Sequence, residues 1–307
     1  MQTRRFAEYD LSTLMLGTVQ FGMPYGIANV TGQPDYRQVL AILEAALEGG
    51  VNCFDTAAAY GNSEEVLGRA LHELGVADDV VVVTKVQPLA PGLSADPAAA
   101  GQAIETSVAD SRCRLGLETL PIVLFHREGE VQYLPVLEKL KHRGWLRYAG
   151  VSCDNRPGPA TRFAAQPGVA ALQIPANILD RRHVEDGAFA AAATHGAAVF
   201  VRSVFLQGLL VMPEASIPAR LSDVVAVRRE LAGIAEDAGL SMPALAIRYM
   251  LAQEGVTCVL TGVETVEQVR TNCSIFASGP LDPEVVQRVN AAVPTLPEQI
   301  LIPLMWE

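Results

Sequence analysis

Eight short apolar runs, each upstream of a longer helical pattern, limit the possible folds of this chain more than any other feature. The runs are rich in Val, Ile and Leu and are continuous rather than alternating, as expected of strands covered on both faces. They read LMLGT from Leu14, VNCFD from Val51, VVVVTK from Val80, PIVLFH from Pro121, LRYAGVS from Leu146, VAALQI from Val169, AAVFVRS from Ala197 and VTCVLTG from Val256. This pattern predicts a parallel sheet with helices on its faces.

The helical stretches between the runs repeat apolar residues at three and four positions, and four of them end on a glycine suited to a helix C-terminus: Gly50, Gly75, Gly144 and Gly196. About eight β/α units without a linker favour one closed (β/α)8 TIM barrel over an open doubly wound sheet, which remains the alternative. The loop from Gly17 to Gly32 lacks the GxGxxG spacing, which disfavours a Rossmann site.

We therefore predict a single domain over residues 1–307, with a tail at about 295–307 that packs over the barrel or along its rim. The tail sequence PTLPEQILIPLMWE is interrupted by proline and carries apolar residues. A surface strap without a ligand role is the simpler interpretation of such a chain end.

Charge and cysteine usage narrow the range of partners. A formal net charge of −11 and a pI of about 5.0 leave no basic face for nucleic acid. The cysteines form no CxxC pair and no regular spacing, which argues against a disulfide framework or a zinc cage: Cys53, Cys113, Cys153, Cys258 and Cys273. Without a signal peptide or an apolar run of roughly 18 residues, we expect a cytoplasmic protein, monomeric or a small homo-oligomer, with no membrane partner.

Chemically useful side chains follow three consecutive runs. Asp55, Lys85 and His126 stand where the second, third and fourth runs end, and Tyr60 lies in the loop after Asp55. Because barrel active sites are built at the carboxyl ends of the strands, these four side chains are expected to meet. Each alone has an ordinary structural explanation, as an ion pair, a helix cap or a core histidine, but four at one edge favour a site.

This set suits proton delivery to an oxygen atom. A tyrosine hydroxyl has a pKa of about 10, so we expect the Lys85 cation to lower the pKa of Tyr60, with Asp55 holding Lys85 and His126 orienting a carbonyl. Lowering the pKa of Tyr60 by about two to three corresponds to roughly 3 to 4 kcal/mol of stabilisation of the phenolate relative to the phenol. Because no side chain carries hydride, such a pocket requires a nicotinamide cofactor.

The motifs DTAAAYGNSEEVLGRAL, VTK at 83–85 and LFH at 124–126 resemble the aldo-keto reductases, and the resemblance covers nearly the whole chain. LGTVQFGMPYG and VRSVFLQGLL are similar to a bacterial subgroup of that family. The resemblance implies an NAD(P)H-dependent oxidoreductase that interconverts an aldehyde, ketone or sugar carbonyl and its alcohol. It places the catalytic roles on Asp55, Tyr60, Lys85 and His126.

The resemblance also implies a set of residues around the nicotinamide. Ser152 and Gln173 match positions that hold the carboxamide, whereas Cys153 stands where the family usually has asparagine. Arg202 stands where many members place a stacking tyrosine, and the loop after it supplies Ser203, Phe205 and Gln207. A guanidinium plane can stack on a ring, but it adds positive charge beside a cofactor that is cationic when oxidised.

The segment TGVETVEQVRTN at 261–272 resembles the family's adenosine-phosphate segment. Gly262 and the helix N-terminus at Thr265 are expected near a phosphate, and Gln268 and Asn272 near adenine. Glu264 would repel a 2′-phosphate and accept a hydrogen bond from a 2′-hydroxyl, unless Arg270 compensates. NAD(H) and NADP(H) therefore stay open as alternatives.

Two other functions are compatible with a barrel of this kind. A nicotinamide-binding, redox-sensing regulatory subunit with little turnover is the alternative, and the complete set of four residues argues against it. A metal-dependent hydrolase is disfavoured because, among the histidines, only His126 stands at a strand end, and we expect no metal. Further residues that could reach the mouth of the pocket are Gln20, Phe21, Tyr25, Arg127 and Trp306.

Overall fold

The computed structural model describes residues 1–26 and 32–306. Residues 27–31 of the predicted loop, and residue 307 of the tail, lie outside this description. Within the described residues, eight parallel strands form a closed barrel. They are β3 Leu14–Gly17, β4 Cys53–Asp55, β5 Val81–Lys85, β6 Leu120–Phe125, β7 Leu146–Ser152, β8 Ala171–Pro175, β9 Ala198–Arg202 and β10 Val256–Gly262. Around the barrel they lie in the order β10-β3-β4-β5-β6-β7-β8-β9.

The predicted (β/α)8 barrel is thereby confirmed, and the open sheet is excluded by the pairing of the first barrel strand with the last. Val259 of β10 is in register with Leu14 of β3, and Gly262 with Gly17. Each of the eight apolar runs contributes one barrel strand.

Helices surround the barrel, and the glycines expected at helix ends adopt the left-handed backbone. Gly50, Gly75, Gly144 and Gly196 have φ values of 81°, 70°, 78° and 71°. The α-helices are α1 Val19–Gly22, α2 Tyr36–Glu48, α3 Ser63–Glu73, α4 Pro97–Leu115, α5 Leu134–His142, α6 Ala160–Ala164, α7 Arg182–Glu185, α8 Ala188–His195, α9 Val224–Asp237, α10 Met242–Leu251, α11 Val266–Ala277, α12 Pro283–Ala292 and α13 Glu298–Leu301. No helix in the described part has both the length and the apolar character needed to cross a membrane.

An antiparallel hairpin, β1 Thr3–Phe6 and β2 Tyr9–Ser12, precedes the barrel and was not anticipated from the sequence. Its Phe6 and Leu11 pack with Met15 and Phe200 inside the barrel. The Arg4 guanidinium donates to the carbonyl oxygen of Leu251, at the end of α10, and to that of Val256, at the start of β10. The hairpin therefore closes the amino end of the barrel and leaves the carboxyl end for a site.

The tail lies against loops at that carboxyl end. Glu298 pairs with Arg156, after β7, at 2.9 Å and with Arg182, after β8, at 3.1 Å. Trp306 is buried and donates its indole N–H to the Ile300 carbonyl at 3.2 Å. The tail is thus fastened beside the strand ends that carry the candidate site.

Candidate active site

Asp55 and Lys85 form a buried ion pair at the ends of β4 and β5. The Lys85 ammonium donates to both carboxylate oxygens, at 2.6 and 2.8 Å, and to the Thr56 carbonyl at 3.0 Å. Burial lowers the pKa of Lys85, but the negative charge of Asp55 and the neighbouring Tyr60 raise that pKa by more, and the net shift is upward. Lys85 is consequently charged at neutral pH.

Tyr60 lies between Lys85 and His126. The Lys85 ammonium is 4.8 Å from the centroid of the Tyr60 ring, and the Tyr60 and His126 rings meet edge to face with centroids 5.7 Å apart. The structure thus brings together the four side chains at the strand ends, as expected from their spacing in the sequence.

The pKa of Tyr60 differs from the sequence expectation. Burial raises it, and although Lys85 lowers it in part, the net shift is upward from 10. Removing water from a phenolate disfavours the charged form more than the lysine, already neutralised by Asp55, favours it. Lys85 therefore lowers the pKa of Tyr60 as expected, but burial outweighs this effect, and the phenol holds its proton at neutral pH.

The turn that presents Tyr60 depends on two glycines in close contact. A Cβ atom on Gly22 would lie 1.9 Å from the Tyr60 carbonyl oxygen, and one on Gly61 would lie 2.3 Å from the Gly22 carbonyl oxygen. Gly61 also has a φ of 56°. The turn is tied to β5 through the Ala58 N–H, which donates to the Lys85 carbonyl at 3.1 Å. The backbone of Tyr60 is therefore fixed from two sides.

His126 is a neutral imidazole in this setting. Burial, followed by the positive charges of Lys85, Arg202 and Arg127, lowers the pKa of His126 to about 3. Its Nδ1 atom is buried and has no hydrogen-bond partner within residues 1–26 and 32–306. Among the described residues, no group of three or more His, Cys, Asp and Glu side chains is placed to hold a metal ion.

Gln173 contacts the Asp55 carboxylate and also lies on the side of the pocket where the cofactor is predicted. Its Nε2 donates to Asp55 Oδ1 at 2.7 Å, and its backbone is in register with Ser152 on β7. One amide hydrogen is therefore occupied by Asp55. Ser152 is buried beside it at the same edge of the barrel.

Cys153, the residue after β7, is buried. Burial, with a smaller effect of Glu128, raises the pKa of this thiol well above its usual value. Its backbone carbonyl has a clear role, because it accepts a hydrogen bond from Arg202 Nη2 at 2.9 Å. The five cysteines are free thiols.

The loop after β9 has an unusual backbone. Ser203, Leu206 and Gln207 have φ values of 64°, 47° and 51°, which non-glycine residues seldom adopt. Such conformations persist where surrounding contacts hold them, often at functional sites. The Asn177 side chain donates to the Ser203 carbonyl at 3.3 Å, and Phe205 and Gln207 are partly buried.

The predicted adenosine segment forms a second cluster at the start of α11. The Thr265 hydroxyl accepts from the Gln268 N–H at 3.2 Å, and Gln268 Oε1 accepts from the Glu264 N–H at 2.7 Å. Asn272 is buried and donates to the Thr261 hydroxyl at 3.1 Å. Gln268 and Asn272 thus make contacts within the chain itself, in addition to any with a ligand. Burial raises the pKa of Glu264.

Gln20 is a site residue that the sequence did not rank. Its side chain lies so close to Gly262 that a Cβ there would meet Nε2 at 2.5 Å, and its buried Oε1 has no partner in the part of the chain that the structure describes. The sequence names Gln20 only as one of five residues that could reach the mouth of the pocket, and the fold distinguishes it by bringing α1 beside the end of β10. Of the other mouth candidates, Phe21 and Trp306 are buried, whereas Tyr25 and Arg127 are exposed.

A closed (β/α)8 barrel with a tyrosine, a lysine and a histidine brought together at the carboxyl ends of its strands is an arrangement found in oxidoreductases. The chain belongs to the aldo/keto reductase family. The family model with the description Aldo/keto reductase family matches residues 13–294. Enzymes of this family act on small carbonyl compounds with a nicotinamide cofactor, NADH or NADPH.

Three similar proteins illustrate the range of the family. The glycerol dehydrogenase AKR11B4 of Gluconobacter oxydans has a structure that matches with a TM-score of 0.78 at 27% identity, over 96% of this chain and 97% of that one. The NADH-specific methylglyoxal reductase of Escherichia coli (strain K12) is 28% identical over 305 residues, covering 86% of this chain and 90% of its own length. A probable voltage-gated potassium channel subunit beta of Oryza sativa subsp. japonica is 26% identical over 307 residues, covering 87% and 90%.

Proposed function

We propose that this chain is an NAD(P)H-dependent enzyme that interconverts a small aldehyde, ketone or sugar carbonyl and its alcohol. The observation that carries the proposal is the junction of Tyr60, Lys85 and His126, in which a protonated phenol lies beside an ammonium and a neutral imidazole. Carbonyl reduction needs a proton donor, a cation and a hydrogen-bond donor around the carbonyl oxygen.

In reduction, Tyr60 gives its proton to the carbonyl oxygen. Lys85 then lies beside the developing phenolate and stabilises it, while Asp55 keeps Lys85 charged and aimed. The neutral His126 ring donates an N–H to the same carbonyl oxygen and orients it. NAD(P)H, when bound, supplies the hydride. In alcohol oxidation, Tyr60 acts as the base.

The predicted cofactor residues provide groups suited to a dinucleotide. Two buried polar atoms at the carboxyl end of the barrel, Gln20 Oε1 and Arg202 Nε, have no partner among the described residues. The helix N-terminus at Thr265 offers N–H groups suited to a phosphate. In this proposal Ser152, Gln173 and the Cys153 region hold the carboxamide end. The loop of Ser203, Phe205 and Gln207 covers the nicotinamide, and Gly262, Glu264, Gln268 and Asn272 hold the adenosine end.

Glu264 favours NAD(H) over NADP(H) in this proposal. A carboxylate near the ribose repels a 2′-phosphate and accepts from a 2′-hydroxyl. The similarity to an NADH-specific reductase is in line with this choice.

The similarity to a potassium channel subunit supports the alternative, a nicotinamide-binding regulatory protein with little turnover. One experiment separates the two. The purified protein is titrated with NADH and NADPH, then mixed with small aldehydes, ketones and aldoses, among them methylglyoxal and dihydroxyacetone, while the absorbance of the reduced nicotinamide is followed. Loss of absorbance with any carbonyl supports the enzyme. Tight binding without loss across the panel supports the regulatory protein, and absence of binding overturns both.

A further inference from the structure

Arg202 is a cation at the strand ends without a carboxylate partner among the described residues. Its Nη2 donates to the Cys153 carbonyl at 2.9 Å and its Nη1 to the Ser203 hydroxyl at 3.3 Å, both uncharged acceptors. Its Nε is buried and makes no hydrogen bond to any residue that the structure describes. Lys85, in contrast, is neutralised by Asp55. Arg202 therefore contributes a net positive charge to this side of the pocket.

The hydrogen bonds fix where that charge lies. Arg202 ends β9 in register with Pro175 of β8, and its guanidinium reaches back to Cys153, the residue after β7. Its charge lowers the pKa values of both Tyr60 and His126, although burial is the largest influence on each. Arg202 thus faces the same pocket as the proton donor and the imidazole.

We propose that Arg202 sets the oxidation-state preference of the cofactor site, so that the protein binds reduced nicotinamide dinucleotide in preference to the oxidised form. This inference rests on the proposed function. Hydride passes directly from the reduced ring to the carbonyl carbon, two electrons with it, while Tyr60 supplies the proton to the oxygen. The ring must therefore lie beside Tyr60 and His126, within the field of Arg202.

Only the nicotinamide ring changes charge between the two forms, from neutral to cationic. The phosphates and the adenosine are identical in both, so their contributions cancel when the two affinities are compared. A fixed cation several ångströms from the ring opposes binding of the oxidised form. In a partly dry pocket, a single unpaired charge changes the ratio of the affinities for the reduced and the oxidised form by roughly tenfold to a hundredfold. The oxidised product then leaves readily, which favours operation as a reductase.

The test compares dissociation constants for NADH and NAD⁺, and for the phosphorylated pair, in the wild type and two variants. Arg202→Gln removes the charge but keeps hydrogen-bond donors, whereas Arg202→Lys keeps the charge. We expect the ratio of the oxidised to the reduced dissociation constant to fall by about tenfold in Arg202→Gln and to stay near the wild-type value in Arg202→Lys. Arg143→Gln, on the exposed end of α5, is the control and should leave the ratio unchanged.

Three results would overturn the inference. An equal ratio in the wild type and Arg202→Gln shows that the ring does not sense this charge. An equal fall in both Arg202 variants assigns the effect to guanidinium geometry rather than charge. An unchanged ratio combined with a raised KM for carboxylate-bearing carbonyls assigns Arg202 to the substrate. Binding of neither cofactor form by the wild type contradicts the proposed function itself, whereas the first three results leave it intact.

Discussion

Gln173 donates its side-chain N–H to Oδ1 of Asp55 at 2.7 Å. The same oxygen receives the Lys85 ammonium at 2.6 Å. A residue that the family resemblance assigns to the nicotinamide carboxamide therefore also shares the Asp55 oxygen that holds Lys85. In the proposed mechanism, the cofactor side and the proton-transfer side of this pocket share one side chain.

Replacing Gln173 should therefore affect catalysis as well as cofactor binding. In Gln173→Ala, Asp55 loses one of the hydrogen bonds that orient it, so Lys85 is less well aimed, and we expect kcat to fall by about tenfold at saturating cofactor. Steady-state kinetics with separate cofactor titrations checks this. Gln287→Ala, an exposed glutamine on α12, is the control. A change in cofactor affinity alone would limit Gln173 to the carboxamide.

Tyr60→Phe should retain cofactor binding and lose most turnover, because it removes the transferable proton and preserves the ring. We expect kcat to fall by about 10² to 10⁴, the usual contribution of general acid catalysis. Tyr36→Phe, which removes only a hydroxyl bonded to Glu73 at the surface, should behave as the wild type. Wild-type rates in Tyr60→Phe would contradict the mechanism.

The pH profile of carbonyl reduction should be flat across the neutral range. The pKa of His126 is lowered from 6.5 to about 3, so the ring stays neutral at every higher pH, and the pKa of Tyr60 is raised from 10, so the phenol keeps its proton. We expect kcat for reduction to be constant from about pH 5 to about pH 9. Alcohol oxidation, which needs the phenolate, should speed up as the pH rises. An inflection near 6.5 would show that His126 titrates normally.

Glu264→Arg should shift the preference toward NADPH. The change replaces a repulsive carboxylate by a cation, and we expect the affinity for NADPH relative to NADH to rise by about tenfold. Glu267→Arg makes the same change of charge in the exposed first turn of the same helix. If both variants shift the ratio equally, the effect is the general charge of this surface, and Glu264 does not face the ribose.

Gly22→Ala should reduce both stability and activity, since its Cβ would meet the Tyr60 carbonyl oxygen at 1.9 Å. We expect a loss of about 1–3 kcal/mol in the free energy of unfolding, together with a lower kcat. Gly101→Ala, inside α4 with only an ordinary contact to Val136, should gain about 0.5–1 kcal/mol. Denaturant titrations of both proteins test the pair, and similar stabilities would refute the close-contact argument.

The barrel and the meeting of four side chains were predictable because parallel strands align their carboxyl ends. The last residue of each apolar run, such as Asp55 or Lys85, therefore falls at one edge whatever the loops do. This requires only the period and length of the runs, which the sequence displays directly.

Contacts that depend on side-chain direction and burial were not predictable in the same way. The bond from Gln173 to Asp55 joins residues that are 118 positions apart, and its existence depends on rotamers set by packing. The raised pKa of Tyr60 depends on how far neighbouring elements exclude water, and the burial of Cys153 on the same packing. The β1–β2 hairpin lacks an apolar run long enough to mark it.

Arg4 precedes its acceptors, Leu251 and Val256, by 247 and 252 positions along the chain, so it is synthesised long before them. The hairpin therefore cannot dock fully until β10 has been made, and β3 has no second neighbour before then. A nascent chain that ends before β10 keeps β3 and β9 as open strand edges, which are prone to association with other chains. Closure of the barrel therefore follows the synthesis of β10, and until then these two edges have backbone groups free to pair with other chains.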